Sequence, residues 1–177
     1  IRDRLVAGVR TCALPISWLS GEPEIRLLPL LCDRGRVALD IGANVGVYSY
    51  FLRKYSTLCH AFEPHPQLAD YLRRSFSSGV AVHDMALSDR DGDATLSIPL
   101  YQNRGRASLP LDGRSFARAT IDPDNRLGGV PTEDIKVRCR RLDDMGIEGI
   151  GFMKIDVRAA ERRVGKECRS RWGADAE

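Results

Sequence analysis

The stretch Asp40-Ile41-Gly42-Ala43-Asn44-Val45-Gly46, with Glu63 standing 21 residues after Gly42, holds the residues of this 177-residue chain best suited to chemistry. Glycines at 42 and 46 let a strand-to-helix turn pass close to a ligand, because a side chain there would fill the ligand's space. The helix that follows offers unpaired amides and the positive end of its dipole. Glu63, at the tip of the next apolar run, is placed to accept hydrogen bonds from both hydroxyls of a ribose. An acidic residue at this offset plays that part in nucleotide-binding folds.

The pattern is D-x-G-x-x-x-G and not the G-x-G-x-x-G of dinucleotide sites. A pyrophosphate favours several close glycine amides. A nucleoside that carries an amino acid, such as S-adenosylmethionine, needs room for its methionyl part instead, and Asp40 can neutralise the ammonium group of that part, directly or through water. A tight turn with a helix-capping carboxylate fits the same residues and stays open beside this reading. The remaining candidates are weaker. His60 lies inside a strand-like run, His65 in a proline-flanked turn and His83 beside Asp84, and their spacing suits no metal, so none is expected. The five cysteines form no CxxC pair and read as reduced, mostly buried thiols. Asp89 to Ala94 reads as a turn, and Arg104, Arg106, Arg114 and Arg118 read as a solvated loop.

These residues need elements to hold them, and the chain alternates strand-like runs with helix-period segments, the mark of an α/β protein with a parallel sheet. RVALDIGA predicts a first strand, with Val37, Leu39 and Ile41 on one side and Asp40 at its carboxyl end. NVGVYSYFLRKY predicts a helix whose inner face carries Val45, Tyr48, Phe51, Leu52 and Tyr55. LCHAFEP predicts a second strand, and PQLADYLRRSF a helix with Leu68, Tyr71, Leu72 and Phe76 inward. VAVHDMALS predicts one third strand; GDATLSIPL, IKVRCRRL and IGFMKIDV predict three more, and EPEIRLLPLLCDRG a short leading helix.

Hydrophobic residues make up 43% and charged residues 29%, proportions of one ordinary globular domain. No apolar run approaches the roughly 18 residues of a membrane span. LVAGV before Arg10 is too short for a signal-peptide core, so a cytoplasmic setting is expected. The net charge of +3 is concentrated at the ends: residues 1–16 and 158–177 together carry +4, leaving −1 on the rest, so the basic balance points to no nucleic-acid partner. Those ends have a specific reading. Glu161 to Trp172 and Thr11 to Ile16 match translations of the two opposed short-read sequencing adapters. Residues 1–16 and 158–177 are therefore expected to be non-native, flanking a domain at 17–157.

The residues ALDIGANVGVYSYFL, AFEPHPQLADYLRRSF, AVHDMALSDRDGDATLSIP, RRLDD and FMKIDV, spread over about residues 36–157, jointly resemble the FkbM family of S-adenosylmethionine-dependent methyltransferases. The resemblance implies a Rossmann-like class I methyltransferase fold and O-methylation of a hydroxyl on a sugar, lipid or secondary metabolite. It implies that Asp40, Gly42, Asn44 and Gly46 line the cofactor loop, that Glu63 takes the ribose, and that Asp84 or Met85 lies near the adenine. The chain departs from the family at Arg158-Ala159-Ala160, where Glu-Gly and a further Glu should follow KIDV, so the domain is expected to be truncated at its C-terminus. Transfer to a hydroxyl needs a base within hydrogen-bond reach. Asp156, on one strand face with Lys154 and at a carboxyl edge, is the candidate; an Asp that orients the cofactor or caps a helix is the alternative. The expected partner is a small-molecule or glycan acceptor, with no nucleic acid and an undetermined oligomeric state. An inactive nucleotide-binding fragment, a mispredicted translation product and an NAD(P)-dependent oxidoreductase remain as rivals.

Overall fold

In a computed structural model of the protein, residues 23–99, 119–121 and 131–156 are described. Both terminal stretches assigned to adapter, and the four arginines between 104 and 118, lie outside them. A 3-10 turn over Pro23–Leu27 leads into a single α-helical turn, α1 (Leu28–Leu31). The leading helix is therefore mostly 3-10, and Ile25 and Leu28 are the side chains that anchor it in the core. There follow β1 (Val37–Ile41), α2 (Val47–Tyr55), β2 (Cys59–Phe62), α3 (Pro66–Ser75) and β3 (Val80–His83). The remaining strands are β4 (Ala86–Leu87), β5 (Gly92–Pro99), β6 (Thr132–Arg140) and β7 (Ile150–Ile155).

Four strands form an all-parallel sheet in the order β3-β2-β1-β7. This is one half of a Rossmann-like sheet, with β1 in the middle and helices crossing over between neighbours. A strand covered on both faces reads as a continuous apolar run, and Val-Ala-Leu-Asp-Ile obeys that rule except at Asp40. Leu39, Ile41 and Phe62 bury one face against Leu87 and Leu142. Ala38 and Cys59 bury the other against Leu52, Ile25 and Leu28. Each fully buried Leu here contributes about 2 kcal/mol of transfer free energy. Cys59 and Cys139 are buried thiols and Cys32 is partly buried.

Three further elements differ from the sequence expectation. The run VAVHDMALS is not one strand: β3 ends at His83, Asp84 and Met85 turn away, and β4 joins a second sheet of order β4-β6-β5. In that sheet β5 and β6 pair antiparallel over Gly92 to Pro99, and Leu96, Ile98 and Val137 pack on Leu68 of α3. On α3 itself Ala69, rather than Tyr71, is buried beside Leu68 and Leu72. The i, i+3, i+4 stripe admits either residue, and the smaller one fits the close helix–sheet approach. Val45, which the helical pattern places on the α2 face, precedes α2 and packs with the second sheet's cluster.

Candidate functional site

The registers bring the acidic candidates to one edge. Ile155, Ile41, Phe62 and His83 are level across β7, β1, β2 and β3. The residues one step beyond are Asp156, Gly42, Glu63 and Asp84, all at the carboxyl edge. Backbone bonds fix that row: the amides of Asp156, Gly42 and Glu63 donate to the carbonyls of Ile41, Phe62 and His83, each at 3.0 Å. The carboxyl edge of a parallel sheet, beside its central strand, is where open α/β folds bind ligands.

The loop between β1 and α2 owes its shape to three residues. Gly42, Asn44 and Gly46 have φ of 75°, 52° and 80°, and Asn44 is the one non-glycine residue with positive φ among the described residues. Asn tolerates this region better than other side chains, which accounts for Gly, Asn and Gly at alternate positions. Gly46 is further constrained. A Cβ there would stand 2.5 Å from Leu72 Cδ2 and 2.9 Å from Phe76 Cε2, so this glycine serves the contact between loop and α3. The loop amides are spent within the protein: Gly42 and Ala43 share the Phe62 carbonyl, Gly46 donates to Ala43, and Asn44 donates to Glu63. No side chain caps the start of α2.

Glu63 is 7% exposed. Its Oε2 accepts from the Asn44 amide at 2.7 Å and its Oε1 from the His65 amide at 2.9 Å. Burial pushes its pKa up to about 7, against the pull of those two amides; Asp40 raises it further and Lys154 lowers it. Each carboxylate oxygen retains a second lone pair. Thus a buried carboxyl group, poised between its charged and neutral forms, stands at the end of β2.

Asp40 is 0% exposed. Its Oδ2 accepts from Ser49 Oγ of α2 at 2.6 Å. Its Oδ1 lacks a well-formed hydrogen bond, and its compensation is the Lys154 ammonium 3.1 Å away. Lys154 is level with Asp40 across the β1–β7 pair. It also donates to the Gly42 carbonyl at 3.1 Å and lies 4.9 Å from the centre of the Tyr48 ring. Its side chain is 14% exposed, and Asp156 Oδ2, on a side chain 73% exposed, is 3.6 Å from it.

Asp84 is on the row, but its carboxylate is held between Arg138 of β6 at 2.9 Å and Arg73 of α3 at 3.3 Å. Burial alone would raise its pKa; the arginines outweigh burial and hold it below the ordinary carboxylate value. Met85 packs against the cluster around Leu39 and Phe62. The histidines have local partners. His65 Nδ1 accepts from the Gln67 amide at the start of α3, and His60 and His83 share a 2.9 Å contact on neighbouring strands. Sequence reasoning missed Ser49, Arg73 and Arg138, none of which stands at a telling spacing. It placed Lys154 beside Asp156 and did not foresee its pairing with Asp40, which depends on the β1–β7 register.

A parallel sheet of this order, with a glycine loop at the end of its central strand and an acid at the end of the next, defines a Rossmann-like α/β domain. The family model described as the methyltransferase FkbM domain matches residues 40–164. The chain belongs to that family. It is 34% identical over 151 residues to 31-O-demethyl-FK506 methyltransferase FkbM of Streptomyces tacrolimicus, covering 73% of this chain and 58% of the relative. It is 31% identical over 153 residues to methyltransferase sdnD of Sordaria araneosa, covering 71% of this chain and 58% of that one. The chain thus spans somewhat over half the length of these relatives. Among solved structures, methyltransferase FkbM from Methylobacillus flagellatus KT is similar over 78% of this chain and 30% of its own, with a TM-score of 0.47 and 15% identity. No helix among the described residues is long and apolar enough to cross a membrane.

Proposed function

We propose that the domain binds S-adenosylmethionine at the carboxyl edge of β1 and β2 and serves methyl transfer to a hydroxyl group of a small molecule or glycan. The observation that carries this reading is the charge of the edge. Asp40, Glu63 and Asp156 stand there with Lys154 as the cation among them. A surplus of carboxylates suits a ligand bearing a sulfonium and an ammonium group and opposes the pyrophosphate of a dinucleotide. The donor set fits the cofactor: Glu63 has lone pairs left for two ribose hydroxyls, and Asp40 is a buried carboxylate whose countercharge is a side chain able to move.

Gly42, Asn44 and Gly46 shape the loop that would hold the cofactor, and Asp84 or Met85 would border the adenine. Bound there, the cofactor supplies a methyl group on sulfonium sulfur, so that a C–O bond forms as the C–S bond breaks and the hydroxyl proton passes to a base. Asp156 is the proposed base, an exposed carboxylate at the row's end whose amide is anchored to Ile41. Positioning the acceptor beside an already activated carbon supplies much of the rate.

Titration calorimetry tests the ligand class. S-adenosylmethionine should bind and NAD should not; binding of NAD alone overturns the reading. Release of S-adenosylhomocysteine in the presence of hydroxyl-bearing acceptors tests the reaction. The basic ends enter none of this, because we take residues 1–16 and 158–177 to be translated adapter. The family match continues to residue 164, so the nucleotide sequence around codons 158–164 is the place to look. Long genomic sequence with divergent codons there refutes the adapter origin.

A further inference from the structure

Lys154 does more than fill space beside the loop. Its ammonium group neutralises Asp40 at 3.1 Å, bonds the carbonyl of Gly42 at 3.1 Å and faces the Tyr48 ring. One cation thereby ties β7 to β1, to the glycine loop and to the first turn of α2. Asp40, with no exposure and its other oxygen on Ser49, cannot receive a ligand's ammonium group while Lys154 stays in place. Asp156 Oδ2 is 3.6 Å from the same nitrogen, on a side chain that is mostly exposed. A lysine carries its ammonium on a flexible four-carbon stem, so moving it by this distance needs rotamer changes and no backbone shift.

We propose that Lys154 is a built-in counter-cation for Asp40, which yields Asp40 to the ammonium group of bound S-adenosylmethionine and moves onto Asp156. The inference rests on the cofactor reading above and deepens it by assigning a positioning residue. Two consequences follow from the exchange. Only a ligand that brings its own cation keeps Asp40 neutralised, so Lys154 tunes selectivity for the amino-acid end of the cofactor. The arriving ammonium holds the Asp156 side chain in one orientation once the cofactor is present. Its second carboxylate oxygen stays available to take the acceptor's proton.

The test uses the full chain and two ligands: S-adenosylhomocysteine and its deaminated analogue, in which hydrogen replaces the amino group. In the native chain the amino group should improve affinity only modestly, because Lys154 must be displaced. In Lys154→Met the buried Asp40 has lost its countercharge, and the advantage of the amino group should grow by about tenfold or more. An unchanged ratio overturns the exchange. Should Lys154→Met not fold, Asp156→Asn gives the same decision, since its side chain is exposed. Removing the destination of Lys154 should weaken S-adenosylhomocysteine several-fold and leave the deaminated analogue unaffected; equal losses for both overturn the proposal. If both ligands bind the native chain and the ratios do not move, the exchange fails while the cofactor reading stands. If neither ligand binds, the cofactor reading itself fails and the exchange falls with it.

Discussion

Replacing Glu63 by Gln is the sharpest probe of the buried acid at the end of β2. The pKa of Glu63 rises from 4.5 to about 7, chiefly through loss of solvation. At about 1.4 kcal/mol per unit, keeping this group ionised in the fold costs about 3 kcal/mol. The sign follows from proton counting. Between pH 4.5 and about 7 the folded chain holds a proton on Glu63 that the unfolded chain has released, so stability falls as pH rises through that window and levels off above it. The carboxamide of Glu63→Gln does not titrate, though its NH2 group meets either the Asn44 or the His65 amide, at a cost of about 1 kcal/mol independent of pH. Urea unfolding of both chains at several pH values should show the variant gaining on the native chain by about 3 kcal/mol from acid to neutral pH. Difference curves that run parallel across the window refute the reasoning. With Glu63 taking the ribose as proposed, ligand affinity should move the other way: ribose hydroxyls would donate to the ionised carboxylate, so S-adenosylmethionine should bind more weakly as pH falls below about 7, and Glu63→Gln should remove that dependence.

Two further outcomes test the packing and the histidine pair. Gly46→Ala should destabilise the fold by about 3 kcal/mol through a strained φ and the collision with Leu72 and Phe76. Gly146→Ala, also at positive φ but with nothing within 4 Å of the added carbon, should cost about 1 kcal/mol; equal losses by urea titration would contradict the packing role of Gly46. Burial holds His60 and His83 below their ordinary 6.5, so unfolded chains take up protons that the fold refuses, and stability should be lost as pH falls below 6.5. Thermal melts of Glu63→Gln, which lacks the opposing titration, should show this acid limb, and His83→Gln in that background should flatten it.

The main sheet was legible because its strands are short apolar runs closed by unambiguous punctuation. Val37–Ile41 ends at the Gly42 turn, and Cys59–Phe62 ends before Pro64. The break inside VAVHDMALS was not, because apolar residues resume at Met85, Ala86 and Leu87 and only the partners of β4 in the second sheet reveal the change of direction. The glycine loop after β1 was legible in its residue types, but the reason for each glycine was not uniform. The need at position 46 is contact with α3, a helix 20 residues downstream whose approach no local pattern encodes. Asp84 falls just past the end of β3, inside what the sequence suggested was one continuous strand, and its two arginines come from helix α3 and strand β6 and were invisible to spacing.

The bond from Lys154 to Gly42 joins positions 112 residues apart. Strands β1, β2 and β3 meet through crossovers of modest length, whereas β7 must close that long loop before it can dock, and distant closures come slowly. Until it docks, Asp40 has no countercharge from Lys154. Assembly of the sheet therefore has a built-in order: the glycine loop acquires its buried ion pair only when its most distant strand arrives, and β1 must wait with a hydrated aspartate near its end.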